Sequence, residues 1–320
     1  MSTEQSHNGI ASTYKSRDTE EWLDMVFNRP IGYLWALFFK RLGVHPNVVT
    51  VLSMILGATA GFCFYFDADT PQGFWINVCG VLLLMWANFY DSADGQLARM
   101  TGQKTPLGRI LDGASSDIWF FPIYFFLFLR LFDKVMPLAE TQTWGWWSFI
   151  LCSAAGFGAH TYECQLADYY RNIHLFFLKG DAGSEFDHYA QQKEKYRNMP
   201  LRGHVIEKFF QWFYVNYTYT QELATPQFQR LWRNIKRVYG DNIPQEFRDR
   251  FREQSLPLMK WTNILTFNTR AIVLYISCLI DEPWIYPVFE LTILLLIYIY
   301  MRYRHERFSR IFAEELEYER

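Results

Sequence analysis

The chain has 320 residues, of which 50% are hydrophobic and 19% aromatic, and its net charge is −2. This near-neutral balance gives no preference for a charged partner, and no nucleic-acid partner is expected. The five cysteines fall in or beside apolar runs without a close pair, which argues against a disulfide or zinc framework and indicates reduced core residues.

The first 45 residues are predicted to form a cytoplasmic tail and a helix. Residues 1–18 are rich in Ser, Thr and charged side chains, which is typical of a loose tail, and they lack the basic-then-apolar pattern of a cleaved signal. From Glu21 to Arg41 apolar residues recur at helical spacing, with Pro30 as an expected kink. This spacing predicts an amphipathic helix in the membrane interface, with an ordinary packing helix as the alternative.

Six apolar runs are long enough to cross the roughly 30 Å of hydrocarbon in a bilayer. They lie at 47–66, 74–93, 109–132, 144–166, 262–280 and 284–302. Lys and Arg collect in every second connection, including the loop with Arg99, Lys104 and Arg109, and at the C-terminus. The positive-inside rule therefore places both termini and that loop in the cytoplasm. We expect an all-α, six-transmembrane-helix bundle in a membrane, with a bacterial inner membrane as the expected location.

Acidic residues stand where the second run ends and the third begins. Asp91 and Asp94 are three residues apart and share one helix face, and Asp112 opens the facing helix. A charge near the bilayer centre costs about 2.5–3.5 kcal/mol even on the gentler scales, so intramembrane carboxylates are functional candidates. Carboxylates this close repel one another unless a cation lies between them. The residues therefore predict a hard divalent ion, Mg²⁺ first, held by oxygen ligands.

The stretch from Asp91 to Asp117 resembles the signature of the CDP-alcohol phosphotransferase family, D-x2-D-G-x2-A-R-x8-G-x3-D-x3-D. Seven signature residues fall at the expected spacing: Asp91, Asp94, Gly95, Ala98, Arg99, Gly108 and Asp112. The resemblance implies a Mg²⁺-dependent membrane enzyme with two metal ions, Mn²⁺ being an alternative, and a CDP-linked donor that releases CMP. It also implies a homodimer.

The resemblance also assigns roles to individual residues. Asp91 and Asp112 would bridge both metals, Asp94 would bind one, and Asp117 would bind the other and take the proton of the acceptor hydroxyl. Arg99 would neutralise donor phosphate, and the lack of a side chain at Gly95 would let the nucleotide approach. The remaining residues expected to bind the donor, or to support its binding, are Ala98, Gly108, Thr105, Asn47 and Thr50. The alternative role for Thr105, Asn47 and Thr50 is helix capping.

One position departs from the signature. Its last Asp should stand at position 116, where this chain has Ser116, with Asp117 next to it. Asp112 and Asp117 differ by about 140° around a regular α-helix, so we expect a π-turn or a late helix start that returns Asp117 to the face of the site. The alternative is that Ser116 lines the site and Asp117 stands behind it. Farther along, His160, Glu163 and Asp168 are expected to be satisfied polar residues.

Four regions are predicted: 1–45, the tail and interfacial helix; 46–170, transmembrane helices 1–4 with the Asp motif; 171–260, a cytoplasmic helical insertion; and 261–320, transmembrane helices 5–6 with a basic tail. In the insertion, Thr225 and Pro226 predict a helix start and Gly240 its end. A short helix is expected from Pro244 to Gln254, the segment 204–219 could lie on the membrane, and no strand is predicted. The basic face of the first helix would meet anionic lipid heads or, alternatively, a phosphorylated acceptor: Arg230, Arg233, Lys236 and Arg237.

The expected reaction transfers a phosphatidyl group from CDP-diacylglycerol to a small polar alcohol, such as inositol phosphate, glycerol phosphate or serine. The reversed arrangement, a soluble CDP-alcohol with a diacylglycerol or ceramide acceptor, stays open. A prenyltransferase would need a second Asp-rich cluster, which the sequence lacks after Asp117. A cation transporter would need polar residues on several spans, whereas the first, fifth and sixth runs are almost wholly apolar.

Overall fold

A computed structural model of the chain describes residues 16, 18–103, 105–137, 139–180, 184 and 186–318. Seven residues inside helices or strands are described by their backbone alone: Pro106, Arg109, Asp112, Ala114, Ser116, Glu140 and Ile206. Most of the predicted N-terminal tail and Lys104 lie outside the described residues. The chain is about 81% helical, so the all-α prediction is confirmed.

Proline and a capping side chain open three of the first four helices. These helices are α1, Arg29–Arg41; α2, Pro46–Cys63; α3, Pro71–Thr101; and α4, Pro106–Phe132. Proline stands at the first position of α2, α3 and α4, where its missing N–H costs no intrahelical hydrogen bond. The preceding side chains of His45, Thr70 and Thr105 accept a hydrogen bond from the first turn. A π-turn, Asp24–Asn28, precedes α1.

The regular secondary structure in the rest of the described chain is helical apart from one hairpin. Strands β1, Val135–Met136, and β2, Ala139–Thr143, pair antiparallel. The expectation of no strands is therefore wrong for this short hairpin. The helices that follow are α5, Trp146–Ser153; α6, Thr161–Lys179; α7, Tyr189–Asn198; α8, Val205–Ala224; α9, Pro226–Tyr239; α10, Gln245–Ile264; α11, Phe267–Leu279; α12, Ile285–Phe289; and α13, Leu295–Tyr318. Two π-helical stretches, Ala154–His160 and Glu290–Leu294, join α5 to α6 and α12 to α13.

The chain divides into two compact units. The first contains Glu20–Thr161 and Phe267–Thr292, and the second contains Tyr162–Thr266 and residues 293–318. In the first unit, glycines bring α2 close to α4. A Cβ added at Gly57 would lie 2.3 Å from the Trp119 ring, and one at Gly61 would lie 2.9 Å from the Ile123 nitrogen. Small residues at these positions therefore set the spacing of the helices that carry the site.

Three helical stretches among the described residues are long and apolar enough to cross a membrane: Pro46–Cys63, Pro71–Thr101 and Ile285–Tyr318. The predicted count of six spans is not confirmed. The run 262–280 contains a break at Leu265 and Thr266, and α11 has only 13 residues, a rise of about 20 Å that is too short for a straight crossing.

Helix α1 packs on α3 by one face and exposes apolar side chains on another. A Cβ at Gly32 would lie 2.7 Å from the Ser92 hydroxyl oxygen, which shows how closely the two helices approach. Ala36 and Phe39 are buried, whereas Leu34 and Phe38 are exposed. Both the packing contact and the outward apolar face are present, and the interfacial position of α1 stays a prediction.

The second unit has an aromatic core around α9. Phe228, Trp232 and Phe251 are buried there, and Phe177 stacks on Phe251 with ring centroids 3.9 Å apart. The expected start and end of α9, Pro226 and Gly240, are confirmed. The expected short helix after Pro244 is wrong in length, because α10 continues to Ile264. On the basic face of α9, Arg230 pairs with Glu317 at 2.6 Å and Lys236 pairs with Asp241 at 2.7 Å.

Candidate active site

Hydroxyl groups from two helices contact the first two signature carboxylates. Thr50 on α2 donates a short hydrogen bond to Oδ2 of Asp94 on α3. Ser115 on α4 donates to Oδ1 of Asp91 at 2.7 Å. Asp94 is only 3% exposed, and a buried carboxylate needs such partners because burial removes its hydration. Helices α2, α3 and α4 therefore meet at the signature.

The next residues of the signature on α3 leave room beside a guanidinium group. A Cβ added at Gly95 would meet only Arg99 within 4 Å, with Nη1 and Nη2 each 3.6 Å away. These are ordinary van der Waals distances, so protein packing alone does not require glycine at this position. Ala98 and Arg99 are half-buried on the same helix. A planar guanidinium beside a residue without a side chain suits a phosphate group.

Gly108 on α4, in contrast, lies in close contact with two polar side chains. A Cβ there would lie 2.7 Å from Oδ1 of Asn47 and 2.9 Å from Oγ1 of Thr105, closer than real Cβ contacts allow. Thr105 caps α4 by accepting a hydrogen bond from the Gly108 N–H at 2.9 Å, so the capping alternative is confirmed for this residue. Asn47 does not cap α2, because His45 accepts the hydrogen bond from the Asn47 N–H at 3.2 Å. The Asn47 amide points instead towards the start of α4.

Helix α4 is regular around Ser116, the position where the chain departs from the signature. Helix α4 runs as an α-helix from Pro106 to Phe132, so the expected π-turn or late start is wrong. Ser115 and Asp117 lie about 200° apart on such a helix. Since Ser115 contacts Asp91, Asp117 lies on the opposite side of α4, where the charged groups that act on it are His160 and Arg270. The side chains of Asp112 and Ser116 lie outside the described residues.

The donor set is suited to a hard cation. Asp91 and Asp94 offer carboxylate oxygens, which Mg²⁺ and Mn²⁺ prefer. Among the side chains that the structure describes, no group of three or more His, Cys, Asp or Glu residues is arranged to hold a metal. The backbone of Asp112 lies one turn after Gly108 and one turn before Ser115 on α4.

A second polar cluster surrounds Glu290 within the first unit. The Glu290 carboxylate accepts hydrogen bonds from Arg270 Nη1 at 2.5 Å, from the Tyr286 hydroxyl at 2.5 Å and from the Tyr124 hydroxyl. His160 Nδ1 lies 3.3 Å from Glu290 Oε1. Arg270 and Glu290 are both fully buried. Sequence reasoning missed this pair by treating both runs as almost wholly apolar, although a lone Arg in one run and a lone Glu in the next was the available signal.

A third cluster joins α4 to the turn after α11. Arg130 is buried and donates to Oδ1 of Asp281 at 2.6 Å and to Oδ1 of Asn77 at 2.9 Å. Burial would raise the pKa of Asp281, but hydrogen bonds from Lys134 and Arg130 outweigh it and hold that pKa below its usual range. This cluster contains none of the predicted site residues, and it ties together the ends of helices distant from the signature.

Residues 43–173 match a family model described as CDP-alcohol phosphatidyltransferase. The chain is 32% identical over 128 residues to cholinephosphotransferase 1 of Saccharomyces cerevisiae, covering 36% of this chain and 30% of the relative. It is 30% identical over 83 residues to choline/ethanolaminephosphotransferase 1 of Arabidopsis thaliana, covering 24% and 21%. It is 32% identical over 84 residues to archaetidylinositol phosphate synthase of Aeropyrum pernix, covering 26% and 39%. The matches thus span less than two fifths of each relative, and no solved structure matches.

Proposed function

Because residues 43–173 belong to the CDP-alcohol phosphatidyltransferase family, we propose that the chain transfers a phosphorylated group from a CDP-linked donor to a hydroxyl acceptor and releases CMP. One observation carries this proposal for the chain itself. The signature carboxylates Asp91 and Asp94 are held by hydroxyl groups from two neighbouring helices, Thr50 on α2 and Ser115 on α4. Such positioned carboxylates, with the Arg99 guanidinium beside Gly95, suit the binding of a metal-bound diphosphate.

Members of this family depend on divalent metal ions. The oxygen-only donor set fits Mg²⁺, with Mn²⁺ as a substitute, and Asp91, Asp94 and Asp112 would hold two such ions. When bound, the ions would neutralise charge on the donor phosphates and on the leaving oxygen. Fixed carboxylates lose less conformational freedom on binding than mobile ones, so the hydroxyl contacts of Thr50 and Ser115 would favour binding.

The other signature residues would orient the donor. Arg99 would bind a donor phosphate through its planar guanidinium, beside the space left by Gly95 and Ala98. Asn47, with Thr105 and Gly108, would border the nucleotide at the start of α4. The acceptor oxygen would form a bond to the phosphorus that is transferred, and the bond from that phosphorus to the CMP oxygen would break. The acceptor proton would pass to a carboxylate of the signature.

The role of Asp117 as fourth metal ligand and base stays a prediction that the regular α4 helix does not favour. Two variants decide between the neighbouring positions. If Asp117 acts in the site, Asp117→Asn should abolish CMP release while Ser116→Ala retains it. Activity of Asp117→Asn equal to wild type, beside an inactive Ser116→Ala, would assign the position to Ser116.

Two arrangements remain: the lipid is part of the CDP-linked donor, or it is the acceptor. The expected one combines CDP-diacylglycerol with a small polar alcohol, and the name of the archaeal relative, a synthase of archaetidylinositol phosphate, is in keeping with it. The second combines a soluble CDP-alcohol with diacylglycerol or ceramide, and the names of the yeast and plant relatives, which refer to choline and ethanolamine phosphotransfer, favour it. In both cases CMP is the leaving group.

The test is a matched panel with purified full-length protein in detergent–lipid micelles. One arm supplies CDP-diacylglycerol with inositol phosphate, glycerol phosphate or serine, and the other supplies CDP-choline or CDP-ethanolamine with diacylglycerol or ceramide. Mass spectrometry identifies the lipid product, and an Asp91→Asn variant is the control. A product in only one arm, together with CMP, assigns the arrangement. No CMP in either arm would refute the proposed function.

The topology follows the same proposal. We propose that both termini and the signature face the cytoplasm, on the basis of the Lys and Arg distribution. The six-span count, the four predicted regions, the homodimer and the bacterial inner membrane stay predictions.

A further inference from the structure

Helix α8, in the second unit, buries polar side chains and exposes apolar ones, which is the reverse of a helix that faces water. Its buried face carries Gln211, Thr218 and Gln221, each at most 5% exposed, with Val215 between them. A helix packed on a protein that faces water buries its apolar side chains and exposes its polar ones. The distribution along α8 is therefore that of a helix whose outer surroundings are apolar.

The inward polar side chains are satisfied by specific partners. Gln211 Nε2 donates to Gln192 Oε1 at 3.0 Å, and Gln221 Nε2 donates to the Gln165 carbonyl at 2.9 Å. The Tyr217 hydroxyl donates to Asp168 Oδ2 at 3.0 Å. Since these bonds fix which face of α8 points into the protein, the outward apolar face is a built feature of the fold.

The outward face is an apolar stripe with one polar interruption, the exposed Asn216, whose Nδ2 donates to the Trp212 carbonyl at 2.8 Å. Leu223 is 65% exposed, Val205 62% and Phe209 57%. Three further exposed aromatic residues complete it: Trp212, Phe213 and Tyr219. The stripe follows a helix of 20 residues, about 30 Å long. A patch of this extent on a protein surface marks contact with a membrane or another protein.

Three observations favour a lipid surface as the occupant. Tryptophan and tyrosine, both in the stripe, are enriched where membrane meets water. The three charged residues of α8 have partners outside the stripe: Lys208 Nζ donates to the Met199 carbonyl, Glu222 accepts from the Tyr189 N–H, and Glu207 lies 3.5 Å from His204. The segment leading into α8 exposes three basic residues, which would attract anionic headgroups: Lys195, Arg197 and Arg202.

We propose that α8 lies in the plane of an anionic membrane, with its stripe at the boundary between headgroups and acyl chains. Helices of this kind insert about 5–10 Å and bind through apolar area plus attraction to anionic lipid. The helix does not belong to the three stretches that are apolar enough to cross a membrane. This binding site for lipid lies in the region after residue 173, outside the family match, and does not depend on the proposed reaction.

Photocrosslinking tests this position. The photoreactive residue p-benzoylphenylalanine replaces Phe209 in one full-length variant and Leu223 in another, and it replaces the exposed Glu246 on α10 in the control. Each protein is reconstituted into vesicles of phosphatidylethanolamine and phosphatidylglycerol, irradiated, and measured by intact mass after size-exclusion chromatography has shown that it is folded. Lipid adducts at 209 and 223 with at least tenfold less at 246 are expected.

Two outcomes would overturn the proposal. A covalent dimer as the main product at 209 and 223 would show that the stripe contacts a second copy, and no adduct above the control would show that it faces water. A second measurement needs no unnatural residue: acyl-brominated lipids should quench the part of the fluorescence that is lost in Trp212→Phe. Equal quenching of the wild type and Trp212→Phe would also contradict the proposal.

Discussion

Removing the Thr50 hydroxyl should weaken the site without removing any carboxylate. Thr50→Val keeps the shape of the side chain but deletes the donor to buried Asp94. Hydrogen bonds to charged groups contribute about 1.5–3 kcal/mol. At about 1.4 kcal/mol per factor of ten, the loss corresponds to roughly a 10- to 150-fold decrease in kcat/KM if Asp94 must be held for catalysis.

The assay is CMP release at a series of Mg²⁺ concentrations. Thr50→Val should need more Mg²⁺ for half-maximal rate, and Thr50→Ser, which keeps the hydroxyl, should recover most of the activity. Thr59→Val is the matched control, because Thr59 lies on the same helix and its exposed hydroxyl bonds only to the Ile55 carbonyl. Kinetics of Thr50→Val equal to those of Thr59→Val would refute the reasoning.

Three further predictions concern stability, measured by thermal unfolding in detergent. Arg270→Met should destabilise by about 3–5 kcal/mol because it leaves the buried Glu290 charge unpaired, and adding Glu290→Met should recover much of that loss. Gly57→Ala should cost about 1–3 kcal/mol because its Cβ would meet Trp119 at 2.3 Å. Burial lowers the pKa of His174 although Asp18 opposes it, so stability should be full above about pH 6.5 and fall as the pH decreases below that value; His174→Gln should reduce this dependence.

Each of the three stability predictions can be contradicted by a specific result. Additive losses in the Arg270 and Glu290 double variant would show that the two residues do not act as a pair. Gly158→Ala, whose Cβ would have no neighbour within 4 Å, is the control for Gly57→Ala, and equal losses would remove the packing explanation. An unchanged pH slope in His174→Gln would assign the pH dependence to other groups.

The sequence predicted a helix start and the signature better than it predicted which side of a helix a given residue faces. The predicted start of α9 at Pro226 is confirmed because proline in the first turn acts locally, and Pro46, Pro71 and Pro106 open α2, α3 and α4 in the same way. The side of α4 that Asp117 faces depends on whether this helix is regular. Its regularity depends on packing with neighbouring helices, such as the Gly57–Trp119 contact, and the motif alone does not encode that packing.

The buried ion pair of Arg270 and Glu290 was the second feature that the sequence did not predict. Arg270 on α11 and Glu290, which directly follows α12, lie 20 residues apart in the chain and meet at Tyr124 of α4, which also contacts Glu290. Hydropathy averages hide such pairs, since one charge in a long apolar run changes the mean little. For segment 204–219 the sequence predicted a possible membrane contact, but it did not predict that Gln211, Thr218 and Gln221 of α8 point inwards.

Direct Mn²⁺ binding tests the central claim that the signature carboxylates form a divalent-metal site. Electron paramagnetic resonance of free Mn²⁺ titrated against purified protein gives the number of ions bound without requiring a known substrate. Two ions are expected for wild type, with at least tenfold weaker binding in Asp91→Asn and Asp94→Asn and unchanged binding in Glu246→Gln. Equal Mn²⁺ binding by Asp91→Asn, Asp94→Asn and wild type would contradict it.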